Sequence, residues 1–181
     1  MPKFQLNKPP SAREINSAVA NYGARPRRVH PYFDLSTFAK GYVEAMFFTN
    51  GDTGDERDFL LNEWGVDKLT RASVKQIAKD CAGFESGAAD LLACAYSTDE
   101  YEVEQAGRDF WFTRQGHGVG FWDRRELDHD VYEFEGKPVI VTRNDEPGYK
   151  FLGNLGRLLS DAAKAFGECN VETYRGWIYV R

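Results

Sequence analysis

One stretch constrains the rest of the chain: Arg108 to Asp123, which reads R-D-F-W-F-T-R-Q-G-H-G-V-G-F-W-D. Phe110, Trp111, Phe112 and Thr113 favour an extended, pleated backbone, because bulky and β-branched side chains pack well on a half-buried sheet. Gln115-Gly116-His117-Gly118 supplies residues that tolerate positive φ, as a tight hairpin loop requires. Val119 to Trp122 then reads as the returning strand. The expectation is a β-hairpin with aromatics on both arms.

Helical patterns precede it. Ser36 or Asp34 can cap a helix through Thr37–Phe48, whose Phe38, Tyr42, Ala45 and Met46 share one face. Val66–Cys81 predicts a second helix with Leu69, Val74, Ile77 and Cys81 along one side, and Ser86–Ala95 a third or a kinked extension. After the hairpin, Val131–Phe134 alternates with period two, Glu135–Pro138 turns, and Val139–Thr142 returns. Leu152–Phe166 carries an apolar stripe of Leu155, Leu158, Leu159, Ala162 and Phe166, with Gly167 suited to end it. Val171–Tyr174 and Trp177–Val180, joined across Arg175-Gly176, close the chain as a hairpin. The fold class expected is α+β: N-terminal helices, then an antiparallel sheet of ββ–(inserted strand pair)–α–ββ order.

Charge divides the chain unevenly. The net charge is −5, yet residues 1–31 hold +5 from six Lys and Arg against Glu14 alone, which leaves −10 for the remainder. Five of the seven prolines also lie in residues 1–33, so this segment is expected to be a basic, extended arm before a single domain over 34–181. A short helix is open to it where Ser11 and Glu14 form a capping box. Arg25, Arg27 and Arg28 form a compact basic cluster suited to phosphate or to an acidic partner. Residues 85–136 carry the opposite sign, and Glu100, Glu102, Glu104, Glu126, Asp128 and Asp130 are its candidate binding residues. Nucleic acid is therefore disfavoured as a partner of the body and remains within reach of the arm. Phe110, Phe112, Phe121 and Trp122 are read as core packing ahead of a base-stacking platform for the same reason.

Chemistry-bearing motifs are sparse. Cys81, Cys94 and Cys169 are widely spaced and lack any C-x-x-C, so they read as buried small hydrophobes in a reducing compartment. The carboxylate-rich loop at 49–58 fails the calcium-loop pattern, since Asp55 stands where Gly is needed and Leu61 where a bidentate Glu is needed. Gly116-x-Gly118-x-Gly120 is not a dinucleotide fingerprint, because no helix opens directly after it. His117 is the most tempting general base, with Asp123 or Asp109 as the orienting carboxylate, against the blander reading of a turn residue. His129 between Asp128 and Asp130 reads as a solvated loop, not as metal ligands. No cofactor or metal is expected. No apolar run spans a membrane and the first residues lack an apolar signal core, so a cytoplasmic location is expected.

The segments Y-V-E-A from Tyr42, K-D-C-A-G-F from Lys79 and A-G-R-D-F-W-F-T-R-Q-G-H-G-V-G-F-W-D-R from Ala106 resemble a widespread family of uncharacterised bacteriophage and prophage proteins. The closing L-L-S-D-A-A-K-A-F-G-E and the hairpin ending I-Y-V are similar to that family's C-terminus. The resemblance covers about 38–125 and 151–181. Arg108 stands where the family usually has His, and about 126–150 looks like an insertion. The family implies an origin and no reaction. The sequence thus points to a phage-encoded accessory protein that binds a host or phage macromolecule through its acidic face, the range of targets including a nucleic-acid-associated host protein. The rivals are an assembly component using the arm and a small enzyme using His117.

Overall fold

The computed structural model describes residues 29–50, 65–98, 101–141 and 148–181. Among these are five α-helices and two small antiparallel sheets, a mixed α+β fold with the helices mostly before the strands. The helices are α1 (Thr37–Thr49), α2 (Arg71–Gly87), α3 (Ala89–Tyr96), α4 (Val103–Arg114) and α5 (Leu155–Lys164). The strands are β1 (Asp130–Phe134), β2 (Lys137–Ile140), β3 (Lys150–Asn154), β4 (Val171–Tyr174) and β5 (Trp177–Val180). No described helix is long and apolar enough to cross a membrane. The Ser11 capping box, Arg25, Arg27 and Arg28, the loop beyond Asn50, Glu100 and Thr142 lie outside the described residues.

Helix α1 is the centre. Phe38, Ala39, Gly41, Tyr42, Val43, Ala45, Met46 and Phe47 are all buried, so it is covered on nearly every side. Ser36 caps it as its sequence suggests, its hydroxyl accepting from the Ala39 N–H at 3.1 Å. Helix α4 packs against it at very short range. A β-carbon on Gly107 would overlap the Phe38 carbonyl, and one on Gly41 would overlap the Glu104 carbonyl, so glycine on each helix sets the approach. Around this crossing Phe84 stacks on Phe110 at 4.3 Å and on Phe121 at 5.6 Å, while Phe166 meets Phe110 edge-on at 5.3 Å.

The hairpin expected over 108–122 does not exist. Val103–Arg114 is a helix, and Val119 belongs to a loop that leads into a single 3₁₀ turn, Phe121–Asp123. Helical spacing wins because Ala106, Phe110, Thr113 and Arg114 fall at i, i+4, i+7 and i+8 and are all buried. The glycines that suggested a hairpin tip end the helix instead. Gly116 has φ +66°, its N–H donates to the Thr113 carbonyl at 3.2 Å, and the His117 N–H donates to the Phe112 carbonyl at 3.0 Å. That pair of bonds is a Schellman cap. Tertiary burial overrides the β-propensity of a Phe-Trp-Phe-Thr run.

The segment read as an insertion supplies most of the sheet. Strand β1 lies between β2 and β3, with Val131 opposite Ile140 and Glu133 opposite Lys150. Strand β3 takes residues assigned to the start of the following helix, and Asn154 caps α5 by accepting from the Arg157 N–H at 3.2 Å. Strands β4 and β5 form the closing hairpin at the expected place, turning through Arg175 (φ 49°) and Gly176 (φ 80°) as a type I′ loop does. The free edge of β5 is covered. Ser73 donates to the Ile178 carbonyl at 3.3 Å and accepts from the Val180 N–H at 2.9 Å, while the Thr70 N–H donates to Ile178 at 3.0 Å.

Tyr32 and Phe33 also pack into the core, although the sequence groups them with the arm. Tyr32 is 2% exposed, and the His30 ring bonds the Leu69 carbonyl at 2.9 Å. Burial, with the Glu44 charge second, pushes the Tyr32 phenol up to about 12.

Candidate functional site

The site grows from a buried ion pair. Asp109 is fully buried on α4 and receives Arg124 side-on through its Nε–Nη2 edge, at 2.6 Å from Nη2 and 2.9 and 3.0 Å from Nε. Tyr101 donates to the same carboxylate at 3.0 Å, as does Gln105. Every lone-pair direction is engaged, so this carboxylate is structural. Burial pushes its pKa up while the Arg124 hydrogen bonds pull against that rise.

Arg124 in turn fixes the segment that follows α4. Phe121 and Leu127 are 0% exposed, and the Phe121 N–H donates to the Thr113 hydroxyl at 3.1 Å. Three anchors at 121, 124 and 127 leave the intervening residues outward. Trp122 is 52% exposed, and Asp123, Glu126, Asp128 and Asp130 are exposed beside it. Asp128 accepts from Asn154 Nδ2 at 3.1 Å, and the Leu155 N–H bonds the His129 carbonyl, so the far end is tied to the start of α5. The result is a preorganised acidic strip with one large indole on it.

The other expected acidic residues join this strip unequally. Glu102 is exposed, and it follows Tyr101, which shares Asp109 with Arg124. Glu104 is half-buried and is neutralised by Arg108 at 3.3 Å, whose guanidinium also holds Glu44 at 2.8 Å. Arg108 thus ties α4 to α1.

His117, Asp123 and Asp109 are not brought together as a catalytic set. His117 is exposed at the Schellman cap with its ring edge-on to Phe112 at 6.1 Å, while Asp109 is committed to Arg124. His129 is exposed between Asp128 and Asp130. Among the described residues no group of three His, Cys, Asp or Glu is placed to hold a metal. The three cysteines are buried and unpaired, and burial pushes each thiol up, away from the reactive thiolate.

A second buried charge has no clear signal in the sequence. Arg114 is 7% exposed and bonds Asp80 at 3.0 Å, the Tyr42 hydroxyl at 2.9 Å and the carbonyls of Phe166 and Gly167. Its guanidinium also lies over the Phe110 ring at 5.6 Å. Only its place four residues after Phe110, on the apolar face of a helix, could have pointed to burial. Comparison with protein-family models, with curated proteins and with solved structures returned no match for this chain.

Proposed function

We propose that the protein is a phage-encoded accessory protein that works by binding, its acidic strip engaging a basic surface on a host or phage protein in the host cytoplasm. The observation behind this reading is the presentation of Trp122, Asp123, Glu126, Asp128 and Asp130 on a segment anchored by Phe121, Arg124 and Leu127. A rigid strip loses little conformational entropy on docking, and an exposed indole amid charge is the residue type on which interface energy concentrates. Unlike charge on the partner would raise the association rate and select among partners, including proteins whose own basic surface serves nucleic acid.

The test compares the tagged protein with an Asp123→Asn, Glu126→Gln, Asp128→Asn, Asp130→Asn variant in host lysate, with bound proteins quantified at 0.1 and 0.5 M salt. One basic protein retained by the wild type, released by salt and lost with the variant supports the reading. Identical capture by both proteins sinks it.

A further inference from the structure

The β4–β5 hairpin carries a surface that the acidic strip does not explain. Its register pairs Tyr174 with Trp177 and Glu172 with Tyr179, so these four side chains share the face turned away from the core. The opposite face holds the buried Ile178 and Val180. On the outer face Tyr174 is 58% and Trp177 46% exposed, and Tyr179 is half-buried. Cations sit on these rings. Arg175 lies over Tyr174 at 5.1 Å and Arg181 over Tyr179 at 5.9 Å.

The helix that borders the edge of β5 is also basic. Ser73 and Thr70 bond β5, and the exposed Arg71 lies between them at the start of α2. Lys75 and Lys79 follow at four-residue steps, both exposed, making a basic stripe along that helix. None of the three has an ion-pair partner among the described residues. Of the nearby carboxylates Asp80 is engaged by Arg114, Asp67 by Lys68 and Glu172 by Arg181, while Glu168 is exposed at the base of the hairpin. The charge that argues against nucleic acid belongs to residues 85–136, which include neither the hairpin nor Arg71, Lys75 and Lys79.

We infer that the outer face of the β4–β5 hairpin, with the Arg71–Lys75–Lys79 stripe, binds single-stranded nucleic acid. Exposed bases stack on Trp177 and Tyr174, and the phosphates run against Arg175, Arg181 and the stripe. Rings supply stacking to any base and cations track the backbone, which is the chemistry of sequence-tolerant single-strand binding. A duplex hides its base faces and cannot use the rings. This site is independent of the acidic strip and does not rest on the reading given for it.

The probe is a fluorescein-labelled 12-nucleotide oligo-dT, followed by anisotropy with the full chain at 50 mM salt. Wild type is expected to bind it at least tenfold more tightly than a 12-base-pair duplex. Trp177→Ala and Tyr174→Ala should each weaken binding about tenfold, and Trp177→Phe should retain most of it. The Arg175→Ala, Arg181→Ala variant should flatten the slope of log affinity against log salt by about one unit. Neutralising the acidic strip should leave binding intact. The inference is overturned if wild type gives no anisotropy change up to 50 µM, or if both aromatic variants bind as wild type does. It is equally overturned if those variants change only the sedimentation mass, which would assign the face to a second copy of the chain. Circular dichroism melts matching wild type will show that the exposed-face variants are folded.

Discussion

Gly107 of α4 lies against the main-chain carbonyl of Phe38 in α1, with no space between them for a β-carbon. In an open helix Gly→Ala stabilises by about 0.5–1 kcal/mol, because glycine loses more backbone freedom on folding. Here the sign should reverse. Gly107→Ala has to push the backbones of α1 and α4 away from each other, where no side chain can yield instead. It should destabilise by about 3 kcal/mol, the upper end of overpacking. Urea denaturation measures it. A variant as stable as wild type would mean that the helices do not cross here.

Arg124→Ala should destabilise by about 3–5 kcal/mol, since it leaves the Asp109 carboxylate buried and uncompensated. An Asp109→Leu, Arg124→Met double variant should lose much less. Burial already raises the Asp109 pKa in the folded protein, and without Arg124 it rises further. A carboxyl whose folded pKa exceeds its unfolded value binds protons better when folded, so stability is gained as pH falls. The deficit of Arg124→Ala should therefore shrink between neutrality and about pH 4, the unfolded Asp value. Denaturation midpoints at a series of pH values decide it, and a deficit that widens on acidification would contradict the assignment.

At the end of α4, Gly116→Ala should cost about 1 kcal/mol, because Gly116 holds φ +66° in the Schellman cap. His117→Ala should cost less than about 0.5 kcal/mol, as its ring is exposed and touches only the edge of Phe112. The order of the two losses is the readout. Metal found in purified wild type and absent from His117→Ala would return His117 to a chemical role.

Two core truncations test the boundaries of the fold. Leu159 is 0% exposed on α5, so Leu159→Ala should cost about 2–5 kcal/mol. Tyr32→Ala should cost about 3–5 kcal/mol although the sequence groups it with an arm over 1–33. A loss below about half a kcal/mol at Tyr32 would move the start of the folded unit past it.

Local signals with one physical meaning are legible in the sequence. The Ser36 cap, the burial of Leu155 and Leu159 on one helix and the two-residue turn at Arg175-Gly176 each stand where the sequence places them. Signals with two meanings are not. An X-Gly-X-Gly stretch after aromatics serves a hairpin tip or a helix cap, and only the burial of Phe110 and Arg114 on one helical face chooses between them. Of the candidate site, Asp123, Glu126, Asp128 and Asp130 stand out by charge alone. The anchors that present them depend on Asp109 meeting Arg124, a contact between a helix and a loop that periodicity cannot report.

The enclosure of α1 sets a hierarchy of opening. In a helix with Phe38, Tyr42, Val43 and Met46 all within 1% exposure, water reaches these residues only by displacing the elements packed on them. Its amide protons should exchange with solvent only when the whole molecule unfolds, and so report the global free energy. Strand β3 lies at the opposite extreme. Phe151 is 57% and Leu152 36% exposed, and β1 is its only partner among the described strands. Its amides should exchange through local fraying, by a route that leaves the α1–α4 crossing closed.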